Sequence, residues 1–161
     1  MRTPTITPPS AAIAGCLAGL LLCLASAASA ADQTPQQLAE LTATNYVQAT
    51  VAFDGAALEK LLAPAYQEIS PIGEVDSRSR VIGFYPATAK GNSPDVRAEL
   101  SEWQSQTLQP GLVLSTAKLT YHFLKTSKTR DLRVQFVSAE QQGRWQLVST
   151  QYTPIQPKKT K

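Results

Sequence analysis

Apolar residues in this chain recur at two different periods, and the switch between them falls near Pro94. Upstream, Leu38, Leu41, Asn45, Tyr46, Ala49 and Phe53 are spaced by three and four, which gathers them on one face only in an α-helix. Downstream, apolar and polar residues alternate, which sorts them onto two faces only in a β-strand. The stretches 96–108, 113–125, 131–140 and 144–153 read as four strands, broken by Pro110-Gly111, by 126–129 and by Gln141-Gln142-Gly143. Helices first and antiparallel strands afterwards make an α+β domain. The expected architecture has N-terminal helices packed on one face of a curved, mostly antiparallel sheet.

Local signals refine this order. Thr34 can cap a first helix whose first position holds Pro35, where a missing N–H costs nothing. Asp54-Gly55 ends it. A short helix over 56–62 presents Leu58, Leu61 and Leu62 and stops before Pro64. Two extended pieces, 65–70 and 74–75, flank Pro71-Ile72-Gly73 as a hairpin. A third helix is expected over 77–89, with Val81, Ile82 and Tyr85 inward. Asp54 and Asp76 both sit where they would cap a helix. Among the strands, Ala117, Leu119, Tyr121 and Phe123 share one face, opposite Lys118, Thr120 and His122. Leu132, Val134 and Phe136 oppose Arg133 and Gln135. The last strand is ambiguous: Trp145, Leu147, Ser149 and Gln151 alternate with Val148, Thr150 and Tyr152.

The first 30 residues follow different rules. One charge, Arg2, precedes an uncharged run over 11–25, shorter than the roughly 20 residues a membrane span needs. Ala28 and Ala30 then fit the A-x-A pattern of a secretory cleavage site, so a cut after Ala30 is expected. Ile13-Ala14-Gly15-Cys16 resembles a lipobox, but most of the apolar run follows Cys16 instead of preceding it. Cys23 follows Leu22, too bulky for that cleavage. The expected organisation is a signal peptide at 1–30, a single domain at 31–154 and a basic Pro/Lys tail at 155–161. The location is then periplasmic or secreted, with no stable membrane anchor after cleavage.

Both cysteines leave with such a leader, so the exported domain has no disulfide and must rely on its core. The 15 basic and 12 acidic residues are too evenly matched, and too scattered, for a nucleic-acid surface.

Tyr46-Val47-Gln48-Ala49, then the run from Phe53-Asp54-Gly55 to Ala63-Pro64-Ala65-Tyr66, then Ile69-Ser70-Pro71-Ile72-Gly73-Glu74-Val75, resembles the opening of nuclear-transport-factor-2-like domains. The likeness is strongest to their SnoaL-like and ketosteroid-isomerase-like bacterial branch, much of it of unknown function. Residues Gly143-Arg144-Trp145 to Thr153-Pro154-Ile155 resemble that branch's closing strand. The resemblance implies a cone-shaped half-barrel with a pocket between the first helix and the concave sheet, and a homodimer formed through the convex face. It also implies that catalytic members carry an Asp base with a Tyr or protonated acid as oxyanion donor. The strand positions where such acids lie hold Leu132, Val134, Phe136, Tyr121 and Phe123, so no catalytic residue carries over.

The residues themselves assign no catalytic set, metal or cofactor. His122 is the only histidine, and its parity places it on the polar face. It stands as the alternative general base for an isomerase or lyase acting α to a carbonyl. No acidic pair is visibly held together. Tyr46, Tyr66, Trp103 and Gln151 are the expected pocket residues, for a small apolar ligand or a protein partner.

Overall fold

The computed structural model describes residues 33–156. The expected leader and the end of the basic tail lie outside the described residues. Helix α1 (Pro35–Ala52) begins in a capping box: Gln37 N donates to Thr34 Oγ1 at 3.2 Å, and Thr34 N donates to Gln37 Oε1 at 2.8 Å. It ends at Phe53, left-handed at φ 57°, whose N–H returns to the carbonyls of Ala49 and Thr50. Asp54 caps α2 (Gly55–Leu61) by accepting from Ala57 N at 2.9 Å. The carbonyls closing α2 are taken by two distant side chains: Arg78 donates to Glu59 and Leu62, and Gln146 to Lys60.

The remaining elements are β1 (Leu62–Ile69), β2 (Val75–Ser77), α3 (Arg78–Gly83), a 3₁₀ turn (Ala87–Asn92), β3 (Val96–Gln109), β4 (Leu112–Phe123), β5 (Lys128–Gln141) and β6 (Arg144–Pro154). They form one open sheet in the order β2-β1-β6-β5-β4-β3, antiparallel throughout except that β1 runs parallel to β6. Helix α1 lies across β3, β4, β5 and β6.

The structure departs from the sequence reading in four places. Strand β1 starts at Leu62, in what reads as the end of a helix. Pro64 is tolerated there because the β1–β6 pairing is irregular between Leu62 and Gln67, so its missing N–H breaks no ladder bond. The 65–70 hairpin does not stand apart: through β1 it joins β6 and widens the sheet to six strands. Helix α3 stops at Gly83, and the 3₁₀ turn occupies the rest of the expected span. Ser77, not Asp76, caps α3, accepting from Arg80 N.

Of the register shifts in the sheet, two bear on the site. In β3 the register slips between Ser101 and Gln104, around Glu102 at φ 53°. In β6, Val137 pairs with Ser149 but Ser138 pairs with Leu147, so Val148 is the extra residue. This second bulge explains the ambiguity of the last strand. Before it Leu147 faces the core; after it Thr150 does. The β5–β6 turn is the two-residue Gln142-Gly143, at φ 52° and 73°, the positive-φ pair of a tight hairpin.

The concave face and α1 enclose the core. Ala117, Leu119, Leu132, Val134, Phe136 and Leu147 are almost fully buried there. The convex face is polar, as the alternation on β4 and β5 predicts. Thr120 Oγ1 donates to Asp131 at 2.8 Å and Lys118 Nζ pairs with it at 2.9 Å, both holding the Asp131 carboxyl below its ordinary range. Arg133 pairs with Glu102 at 2.7 Å.

Candidate functional site

One row of residues crosses the whole sheet on its inner face. From β2 to β3 it runs Asp76, Glu68, Thr150, Phe136, Ser115, Ser105, each directly paired with the next. The row is polar at both ends. At the β3 end, Ser105 Oγ donates to Glu40 Oε1 of α1 at 2.6 Å, tying helix to sheet. At the other end two carboxyls face each other across β1 and β2: Glu68 is 7% exposed and Asp76 1%. Directly opposed side chains in an antiparallel pair have their Cβ atoms roughly 5 Å apart.

Tyrosines surround Glu68. Tyr46 of α1 donates to Glu68 Oε2 at 2.6 Å, and Tyr66, two residues earlier on β1, donates to the same oxygen at 3.0 Å. Tyr152 of β6 donates to the Tyr46 hydroxyl at 3.3 Å. Oε1 takes no part in these bonds. Tyr85, after α3, and Tyr121 of β4 complete the group, and both phenols feel the Glu68 charge. The chain has five tyrosines, each from a different segment: two bond Glu68, a third bonds Tyr46, and the other two feel the Glu68 charge. Tyr46 and Tyr66 are buried, whereas Tyr85, Tyr121 and Tyr152 are half-buried and form the cluster's contact with solvent.

Burial sets the electrostatics. It pushes the Glu68 carboxyl above the ordinary glutamate range; the hydrogen bonds from Tyr46 and Tyr66 pull it part of the way back, and Asp76 adds a further upward push. Since folding raises this pKa, the group contributes most stability below the ordinary value of 4.5, and the contribution fades as pH rises through the folded value. Burial raises every tyrosine as well, Tyr121 to about 12. Asp76 is held by Arg80 of α3, Nε to Oδ1 at 2.9 Å, with the arginine largely exposed.

The expected site residues divide. Tyr46 and Tyr66 come together. Trp103 stays half-buried further along the concave face, its ring 6.1 Å from Phe136. Gln151 is exposed on the convex face, because the Val148 bulge turns Thr150 and Tyr152 inward instead. His122 lies on the convex face too, its Nε2 3.5 Å from Glu99, with the sheet between it and the tyrosines. The expectation of an interior without an acid is overturned by Glu68 and Asp76. Sequence reasoning passed over them because Glu68 lies in a short strand beside a Pro/Gly turn and Asp76 stands where a cap would. The available signal was the alternation Tyr66, Glu68 on β1, which puts a carboxyl and an aromatic on one face. Among the described residues, no three His, Cys, Asp or Glu side chains gather closely enough to hold a metal ion. Nor is any described helix long and apolar enough to cross a membrane.

No family model matches the chain, and no curated protein does. Solved structures do. An NTF2-like protein of unknown function in nutrient uptake from Rhodospirillum rubrum matches with TM-score 0.61 and 18% identity, over 73% of this chain and 98% of that one. The chain has the nuclear-transport-factor-2-like fold. Two further neighbours of similar fold carry different descriptions. The S. rosetta CaMKII hub matches with TM-score 0.66 and 16% identity, over 77% of this chain and 99% of that one. A candidate dehydratase of the NTF2-like family from Streptomyces avermitilis matches with TM-score 0.62 and 16% identity, over 76% and 97%. The NTF2-like fold thus fits a binding or an enzymatic domain, and the choice between them rests on the site.

Proposed function

We propose that this chain is an exported NTF2-like domain that binds a small, largely apolar molecule in its cone and works as a homodimer through the convex sheet face. The observation that carries the reading is Glu68, buried at the end of an apolar interior with one oxygen gripped by Tyr46 and Tyr66 and the other outside those bonds. Ligand sites are typically this: apolar walls with a few directed polar groups. Ile82, Leu100 and Trp103 pack against the core while staying half-buried, and supply apolar surface. The leader, with its Ala28 and Ala30 cleavage pattern, supports export. The polar convex face, whose Lys118, Thr120, Asp131 and Arg133 already pair within the sheet, supports the dimer by giving a second copy a preorganised polar surface, as does a neighbour described as a hub.

Native mass spectrometry of the protein recovered from its exporting host tests all three parts at once. The expected spectrum has an N-terminus at Ala31, twice the mature mass and a non-covalent adduct that Glu68→Gln abolishes. A bare monomer, with or without the leader, would refute the reading.

A second reading is favoured by one contact, the 2.6 Å bond from Tyr46 to a carboxyl whose pKa burial has raised. A carboxyl so placed can take a proton from a carbon α to a carbonyl while a phenol steadies the oxygen. Isomerisation of a β,γ-unsaturated cyclic ketone, followed by the ultraviolet absorbance of the conjugated product, tests it. Catalysis by Glu68 would fall by about 10²- to 10⁴-fold in Glu68→Gln. A wild-type rate equal to that in buffer would exclude it for this class.

A further inference from the structure

We infer that the molecule held in the cone is an organic primary amine, bound as its ammonium ion with Glu68 as counter-ion. The inference rests on the binding reading above and narrows it to a chemical class.

The first ground is charge. Two buried carboxyls, Glu68 and Asp76, face each other across β1 and β2. Asp76 has a cation, Arg80. Among the described residues Glu68 has none: its partners are two phenols, and the other charge acting on it is that of Asp76. Arg130, exposed on β5, acts on Tyr121 and does not figure among the charges acting on Glu68. A buried carboxylate without a partner is costly, and a ligand that brings a positive charge removes the cost. A ligand carboxylate or phosphate would add a third anion to this end of the cone.

The second ground is independent of charge. Thr150 is Glu68's neighbour on β6, on the same inner face, and is 0% exposed. Its Oγ1 stands beside the Tyr66 hydroxyl, close enough to lower that phenol's pKa, yet makes no well-formed hydrogen bond. A buried hydroxyl without a partner points to a missing one.

The third ground is donor and acceptor count. Glu68 Oε1, Thr150 Oγ1 and Tyr152 Oη, whose proton is directed at Tyr46, each keep acceptor capacity that the bonds described above leave unused. Each of the three can accept. A primary ammonium brings three N–H donors and no acceptor, so it matches this set in number and in kind. The surrounding tyrosine rings add cation–π attraction, and the apolar wall receives the rest of the molecule.

Isothermal titration at neutral pH with benzylamine, benzyl alcohol and benzoate tests this. The three probes share a ring and differ in the charge of the head group. Benzylamine should bind at least about tenfold more tightly than benzyl alcohol, with benzoate weakest. Glu68→Gln should erase the amine's advantage while leaving the alcohol within about twofold. Thr150→Val should weaken the amine more than the alcohol. If benzyl alcohol binds as tightly as benzylamine to the wild type, the amine class is wrong and the binding site stands. If no probe binds and native spectra show no adduct, the binding reading falls with it. The wild-type comparison decides even where a variant fails to fold.

Discussion

Raising the pH past about 10, where a free tyrosine ionises, is expected to leave all five tyrosines of the folded protein protonated. Each phenol is raised, burial being the largest cause in every one. Tyr121, the one raised to about 12, should be the first to titrate within the fold. The sign of the linkage follows from the direction of the shifts. A phenol whose pKa is higher folded than unfolded contributes its full stability below about pH 10 and loses it as pH climbs towards the folded value. Five such groups act together, so alkali should unfold the domain cooperatively. Tyrosinate absorbance should then rise in one step, coincident with the loss of near-ultraviolet circular dichroism. In denaturant the five should titrate near 10. Two or more tyrosines titrating near 10 while the dichroism stayed native would show that the cluster around Glu68 is open to water and not packed.

Phe136→Ala should be the most damaging single truncation. Phe136 is fully buried, sits in the middle of the row that crosses the sheet, pairs with Thr150 and Ser115, and packs against Trp103. Loss of a buried phenylalanine costs about 3–5 kcal/mol, through lost burial and the cavity left behind. Against a total stability of about 5–15 kcal/mol that is a large share, in a domain whose described residues contain no cysteine to make a disulfide. Gln135→Ala is the control. Its side chain is exposed on the convex face, one residue away on the same strand, and as a single polar residue of the proposed dimer face it should cost less than about 1 kcal/mol. Urea midpoints of the two variants against wild type provide the measurement. Equal midpoints would mean that β5 does not present Phe136 inward.

The two variants differ in effect because of parity, and parity was legible in the sequence wherever a strand was regular. Ala117, Leu119 and Tyr121 on β4, and Leu132, Val134 and Phe136 on β5, face the helices as their alternation requires. The same holds for the cap at Thr34 and the cap at Asp54, whose signals lie within four residues of the bonds they make. Parity failed where a bulge intervened. Nothing local in Leu147-Val148-Ser149 says that Val148 is extra; the register is set by β5, and one added residue exchanges the two faces. Gln151 was expected at the pocket for that reason, and Thr150 and Tyr152 occupy the face it was assigned.

By itself the sequence determined the class of the domain, the order of its elements, the polar and apolar sides of its regular strands and the caps of its first two helices. These depend on residues near one another along the chain, where spacing and side-chain type are enough. Only the tertiary structure decided the site. Glu68 and Tyr46 are 22 residues apart, and Tyr152 and Tyr46 are 106 apart. Their meeting depends on β1 folding back parallel to β6 and on α1 crossing the concave face. Neither arrangement leaves a periodic trace in the chain, because a contact between distant residues is fixed by how whole elements pack.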